Sequence, residues 1–214
     1  MPPKPTRRRK RAAPVPGVPA LVHQFLIVLS NTDPLVWRRI QVPEDYTFWD
    51  LHVAIQDAMG WLDYHLHEFT VVDRDGHHVR RLGIPDEEFA DVRPTMAGWK
   101  VAVSDYFDDG SPPALYLYDF GDDWHHALVY EGLQNASPGV AYPRCIGGAN
   151  ARPPEDVGGV CGFEEFKRAV SDADHPEHDD YLRWVGGAYD PRAFDPGAVV
   201  CDDPRERWDR AFKD

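Results

Sequence analysis

Two dense blocks hold most of the side chains able to do chemistry: Tyr118-Asp119-Phe120-Gly121-Asp122-Asp123-Trp124 and, further along, Pro153-Pro154-Glu155-Asp156-Val157-Gly158-Gly159. A turn needs glycine and aspartate, but not this much charge beside this much aromatic surface. The pattern suits an acidic, aromatic cleft for a partner protein or peptide. Its candidate binding residues are Trp37, Arg38, Asp119, Asp122, Asp123, Trp124, Glu155 and Asp156. One geometrical condition must hold: the acid-rich hairpin tip and the proline segment fold against one another.

A second chemistry competes. His65 and His67, two apart on an expected strand, send both rings to one face. With Asp122 and His125 they form a candidate ligand set for a divalent metal, zinc or manganese. Glu155 or Asp156 is then the candidate catalytic base of a metal-dependent hydrolase. The plainer account is that strand histidines bond to neighbouring strands while Asp122-Asp123 shape a turn. Arg38 and Arg39 present planar forks for an anion, or one of them pairs with Asp119 or Asp122. Trp61, Trp99 and Trp124 line a cleft or fill the core. The cysteines, Cys145, Cys161 and Cys201, form no Cys-x-x-Cys pair. No Ser-His-Asp elbow or phosphate-cradling glycine loop is present.

Charge limits the partners. The net charge is −13, and Lys4, Arg7, Arg8, Arg9, Lys10 and Arg11 carry six positive charges; removing those six leaves −19 for the rest. An acidic body repels phosphate backbones, so nucleic acid is expected only on the arm Arg7, Arg8, Arg9, Lys10 and Arg11. Pro14, Pro16 and Pro19 make residues 1–19 a disordered basic tail, and 20–214 reads as a single α+β domain. No apolar run approaches a membrane span, and no secretory leader is visible. Three cysteines make no disulfide framework, so the cytoplasm is the expected compartment.

The elements that must position these residues follow from periodicity. Leu21–Leu29 and Val36–Val42 read as a hairpin of strands. Thr47, with Asp50 three positions on, caps a helix over Phe48–Met59 that Gly60 ends. Strands are expected at His65–Val72, His77–Arg81 and Trp99–Val103, with residues 83–98 a loop. Leu115–Phe120 and Trp124–Glu131 form the clearest pair, closed tightly by Gly121-Asp122-Asp123. Residues 136–160 read as a long loop, and short helices follow around Phe163, after Pro176 and at Asp195-Pro196. Strands first and helices last argue for α+β, a mainly antiparallel sheet built from hairpins.

The stretch Leu35–Asp195 resembles the plasmid pRiA4b ORF-3-like family. The matching pieces are Trp37-Arg38-Arg39, Leu51-His52, Gly60-Trp61, His65-Leu66-His67-Glu68-Phe69, Tyr118 to Trp124, Cys145-Ile146-Gly147-Gly148, Pro153 to Gly159 and Phe194-Asp195. The resemblance implies an α+β domain in a prokaryotic protein, of a kind found on plasmids and beside transposable elements and sometimes labelled transposon passenger or resolvase-like. It carries no accepted catalytic residue. Many relatives have cysteines where this chain has Arg152 and Val157, and Cys145 with Cys161 alone are too few for a closed structural zinc.

Overall fold

A computed structural model describes residues 20–73, 75–86 and 94–213. The basic arm therefore lies outside the described residues. The remainder builds an eight-stranded sheet in the order β5-β4-β3-β6-β7-β1-β2-β8. The strands are β1 (Leu21–Leu29), β2 (Trp37–Pro43), β3 (His67–Val72), β4 (Val79–Gly83), β5 (Thr95–Ala97), β6 (Ala114–Tyr118), β7 (Trp124–Asn135) and β8 (Arg144–Ala149). The helices are α1 (Phe48–Met59), α2 (Gly159–Ser171), α3 (His178–Trp184) and α4 (Pro204–Phe212). All strand pairs are antiparallel except β4–β5. The α+β expectation holds.

The pleat separates the two faces. Phe25, Ile27 and Leu29 of β1, Ile40 and Val42 of β2, Phe69 and Val71 of β3, and Tyr116 and Tyr118 of β6 are buried in one cluster. Leu51, Ala54, Ile55, Ala58 and Met59 of α1 and Phe163 and Phe166 of α2 pack into it. Such apolar burial drives folding at about 25 cal/mol per Å². Alternate residues across β7, β1, β2 and β8 carry a polar ladder. Gln24 donates to Glu131 at 2.8 Å, Gln41 donates to Gln24 at 2.8 Å, and Arg144 Nη2 donates to Gln41 at 2.7 Å.

α1 is set by its ends. The Thr47 hydroxyl accepts from the Asp50 N–H at 3.3 Å, and the Asp50 carboxylate accepts from the Thr47 N–H at 2.8 Å. Gly60 closes the helix in the left-handed region at φ 86°. α4 is clamped to α1 by Arg207, which donates to Asp57 at 2.5 Å, Asp63 at 3.3 Å and Asp202 at 2.8 Å.

Several expected elements differ. β3 begins at His67, so His65 lies in the preceding loop. The 99–103 strand is replaced by two short 3₁₀ turns, Gly98–Lys100 and Val103–Asp105. The end of the expected 83–98 loop holds β5, and the expected 136–160 loop holds β8. The helix expected after Pro176 is α3, but Tyr181, Leu182 and Val185 are only half-buried there.

Candidate functional site: the hairpin tip and the proline loop

Three segments meet at one end of the sheet: residues 61–66 after α1, the 119–123 tip between β6 and β7, and the 153–158 loop before α2. Long-range hydrogen bonds hold them together. The Glu155 carboxylate accepts from the Leu62 N–H at 2.5 Å, and the Tyr118 hydroxyl donates to it at 3.3 Å. The Tyr64 N–H donates to the same hydroxyl at 3.1 Å. The Gly158 N–H donates to Asp122 Oδ2 at 3.1 Å, and the Asp119 N–H to the Leu66 carbonyl at 3.0 Å. The tip and the proline loop do fold against one another.

The tip is a five-residue connection, since Tyr118 pairs with Trp124. Its left-handed residues are Asp119 and Asp123, at φ 56° and 59°, and not Gly121. Aspartate tolerates this region because its side chain bonds the local backbone. Asp119 Oδ1 accepts from the N–H groups of Gly121 at 2.9 Å and Asp122 at 3.3 Å.

The four candidate metal ligands do not converge. His67 is 4% exposed and stacks flat on His52 of α1, ring centroids 3.5 Å apart. Burial, then the neighbouring His52, pushes its imidazole well below the usual range. His52 Nε2 faces Asp63 at 3.0 Å and its Nδ1 faces the Tyr116 hydroxyl at 2.8 Å, which also accepts from Gln56. His125 pairs with Asp123 at 2.9 Å in an exposed position, and Asp122 holds Gly158. The cause of the mismatch is register: with β3 starting at His67, the two histidines no longer share a strand face.

His65 finds other company. Its Nε2 is buried, 2.9 Å from Asp156 Oδ1 and 3.6 Å from Asp119 Oδ2, with no aligned hydrogen bond to either. One ligand atom from each of His65, Asp119 and Asp156 lies within 4.8 Å of the others. The sequence offered all three residues but not this grouping.

The remaining candidates scatter. Trp124 is 1% exposed and packs with Trp61 in the core, away from any cleft. Trp37 lies over Gly147 of β8. Neither arginine pairs with Asp119 or Asp122. Arg39 belongs to the polar ladder and bonds Glu131 at 2.8 and 2.9 Å. Arg38, only 1% exposed, donates to the carbonyls of Trp37, Ala58, Ala149 and Asn150. Glu155 is buried and its carboxyl is pushed up by that burial, with the Leu62 N–H opposing. Asp156 is exposed at φ 56°. Cys145 donates to the Gly147 carbonyl at 3.3 Å, and burial pushes its thiol up, away from a reactive thiolate.

Sequence reasoning passed over the apolar rim. Leu62, Tyr64, Leu66 and Phe120 are 51%, 72%, 53% and 51% exposed around the Asp119–Asp156 acids. The readable signal was the alternation Leu62-Asp63-Tyr64-His65-Leu66 immediately after a glycine-terminated helix.

The pieces that meet here are those that carried the family resemblance. The sequence profile described as "Plasmid pRiA4b ORF-3-like protein" matches residues 21–198. The chain belongs to this family. Among relatives of this pRiA4b ORF-3-like chain, uncharacterized protein y4hQ of Sinorhizobium fredii (strain NBRC 101917 / NGR234) is 36% identical over 194 residues, covering 89% of this chain and 96% of that one. The crystal structure of MM3350, a protein of unknown function from Methanosarcina mazei Go1, superposes with a TM-score of 0.77 at 41% identity. It covers 84% of this chain and 98% of MM3350. This pRiA4b ORF-3-like chain therefore shares its architecture with MM3350. Among the described residues no helix is long and apolar enough to cross a membrane.

Proposed function

We propose that this chain is a binding or accessory module of mobile-element origin, whose acidic, apolar-rimmed end takes a cationic, apolar segment of a partner protein. One observation carries the reading. Four large apolar side chains, Leu62, Tyr64, Leu66 and Phe120, stand exposed at one end of the sheet, beside Asp123 and Asp156. Exposed apolar surface rimmed by charge marks an interaction site, and the acids select for lysine and arginine. The scaffold beneath is tied by the Glu155, Asp122 and Tyr118 hydrogen bonds, which suits a pre-formed surface. In this reading residues 20–214 act as one domain in the cytoplasm, and Arg7 to Arg11 remain available to nucleic acid.

Fluorescence anisotropy tests it with a labelled peptide alternating arginine and leucine and a counterpart alternating glutamate and leucine. The arginine peptide should bind in a salt-sensitive manner, and Phe120→Ser with Leu66→Ser should weaken it about tenfold or more. Equal binding of the two peptides, or none of either, rejects the reading.

The buried Nε2 of His65 favours a second reading, in which His65, Asp119 and Asp156 hold a divalent cation such as zinc or manganese. Imidazole with two carboxylates leaves coordination positions open for water and so for hydrolysis. Calorimetric titration of untagged protein with zinc or manganese should give a one-to-one isotherm that His65→Ala abolishes. An isotherm unchanged in His65→Ala, or no heat in the intact protein, rejects it.

A further inference from the structure

We infer that the open cleft bordered by α1, residues 151–155, α3 and Phe194 binds a small monocarboxylate with an apolar body. The inference goes beyond the peptide-binding reading. Among the described residues only Leu62, Pro154 and Glu155 border both regions, and the two are probed by different ligands.

The cleft measures about 530 Å³ and is lined by Arg38, Arg152, Glu155, Trp184, Tyr189 and Phe194 among others. That size is typical of small-molecule sites. Its polar groups are unusual for a body of charge −19. Arg38 donates only to backbone carbonyls, at 2.8 to 2.9 Å, and its guanidinium lies 3.5 Å from the Phe194 ring centre. Arg152 donates to the carbonyls of Gly60 at 2.5 Å and Pro153 at 2.6 Å, and sits 5.1 Å from the Trp61 ring. Neither arginine has a carboxylate within ion-pair distance among the described residues. Carbonyl dipoles solvate a guanidinium but do not neutralise it, and buried unpaired charge is costly.

The two cations also oppose each other. Burial, with Arg152 nearby, pushes Arg38 down to about 10. Burial likewise lowers Arg152, against the pull of Glu155. Among the described residues Glu155 is the one carboxylate of the lining, and it is engaged by the Leu62 N–H and the Tyr118 hydroxyl. Two cations against one anion leave the cleft one negative charge short. A monoanion closes that deficit, whereas a dianion leaves an excess beside Glu155. Arg152 Nη2 spends no hydrogen on a described residue, so it is the donor available to a ligand, in the geometry guanidinium offers a carboxylate. Met59, Leu62, Val185 and the half-exposed Trp184 supply walls for the apolar body.

The test uses the full chain with phenylacetate, indoleacetate and hexanoate, with phenylacetamide as neutral isostere and inorganic phosphate as the alternative anion. At least one carboxylate should bind with a Kd below about 1 mM by calorimetry. Phenylacetamide should bind at least about tenfold more weakly than phenylacetate. Arg152→Gln should abolish carboxylate binding. Because that change also removes the Gly60 and Pro153 bonds, Trp184→Ala, at a half-exposed wall, provides a second variant; it should keep the wild-type circular dichroism and lose affinity about tenfold. No binding by any of the three carboxylates, equal affinity for acid and amide, tighter binding of phosphate, or unchanged affinity in folded Trp184→Ala each overturns the assignment.

Discussion

Asp122 and Gly159 touch at a point where only glycine fits: a Cβ on Gly159 would stand 2.7 Å from the Asp122 carbonyl oxygen, and Gly159 has φ 66°. With Asp122 Oδ2 accepting from the Gly158 N–H, one tip residue fixes the start of α2 through both its side chain and its backbone. Gly159→Ala should therefore cost about 2 kcal/mol or more, from strain and displaced backbone. Asp122→Ala should cost about 1 kcal/mol and raise hydrogen exchange at Gly158. Urea midpoints check the first, and exchange mass spectrometry the second. A Gly159→Ala protein as stable as the parent would contradict the contact.

Histidine burial sets a pH dependence. His126 donates from Nδ1 to the Tyr116 carbonyl at 3.2 Å and accepts from Trp61 at 3.4 Å, and burial pushes its imidazole down to about 4 from 6.5. The folded protein keeps the ring neutral where the unfolded chain already binds a proton. Stability is therefore full above about pH 6.5 and falls as pH drops toward 4, by roughly 2 kcal/mol for His126 at about pH 5. His67, lowered in the same direction, adds to the loss. His126→Gln should flatten the urea-midpoint profile between about pH 7.5 and pH 5. Parallel profiles for parent and variant would dismiss this account.

Arg207 links α4 to α1 through Asp57, Asp63 and Asp202. Its side chain is 16% exposed and that of Asp57 6%, so the pair is shielded but not sealed. Arg207→Ala should cost about 1–3 kcal/mol after allowance for screening. Limited proteolysis should then release residues 204–213 while the sheet stays intact. Resistance equal to the parent's would show that Trp208 and Phe212, packed on Trp49, suffice alone.

Arg38→Lys should be poorly tolerated despite keeping the charge. An ammonium cannot span the Ala58, Trp37, Ala149 and Asn150 carbonyls, nor lie flat on Phe194. The expected loss is about 2–4 kcal/mol, read as a lower urea midpoint at unchanged slope. A shift within about 0.5 kcal/mol would refute the carbonyl cage as a stabilising feature.

How much was legible depended on where each residue's partner lay. β1 and α1 emerged at their observed bounds because a mostly apolar run ahead of the Asn31-Thr32-Asp33-Pro34 turn and the Thr47–Asp50 cap are local signals. The 61–66 loop did not, because the N–H groups of Leu62 and Tyr64 are taken by Glu155 and the Tyr118 hydroxyl, far away in the chain. Those bonds delay β3 to His67 and separate His65 from it. β8 reads as loop because Pro143, Gly147 and Gly148 are poor strand formers, yet an edge strand tolerates them. Gly148 even needs its missing side chain, since a Cβ would meet Phe194. α4 is mostly charged and buries little, so periodicity alone did not expose it. The coming together of tip and proline loop was legible as a condition, because the tip was too rich in acids and aromatics, and the loop in prolines and acids, for simple turns. Its apolar rim was not, because exposure is a property of what fails to cover a residue.

The strand order has a consequence during synthesis. β1 and β2 pair at once, but their outer neighbours are β7 and β8, which are complete only at residues 135 and 149. At about 5–20 residues per second, the nascent hairpin waits roughly 5–20 s with both edges bare. Newborn chains are therefore most exposed to mispairing and chaperone capture in that interval, and substitutions that weaken β8 should lower yield more than they lower the stability of protein already folded.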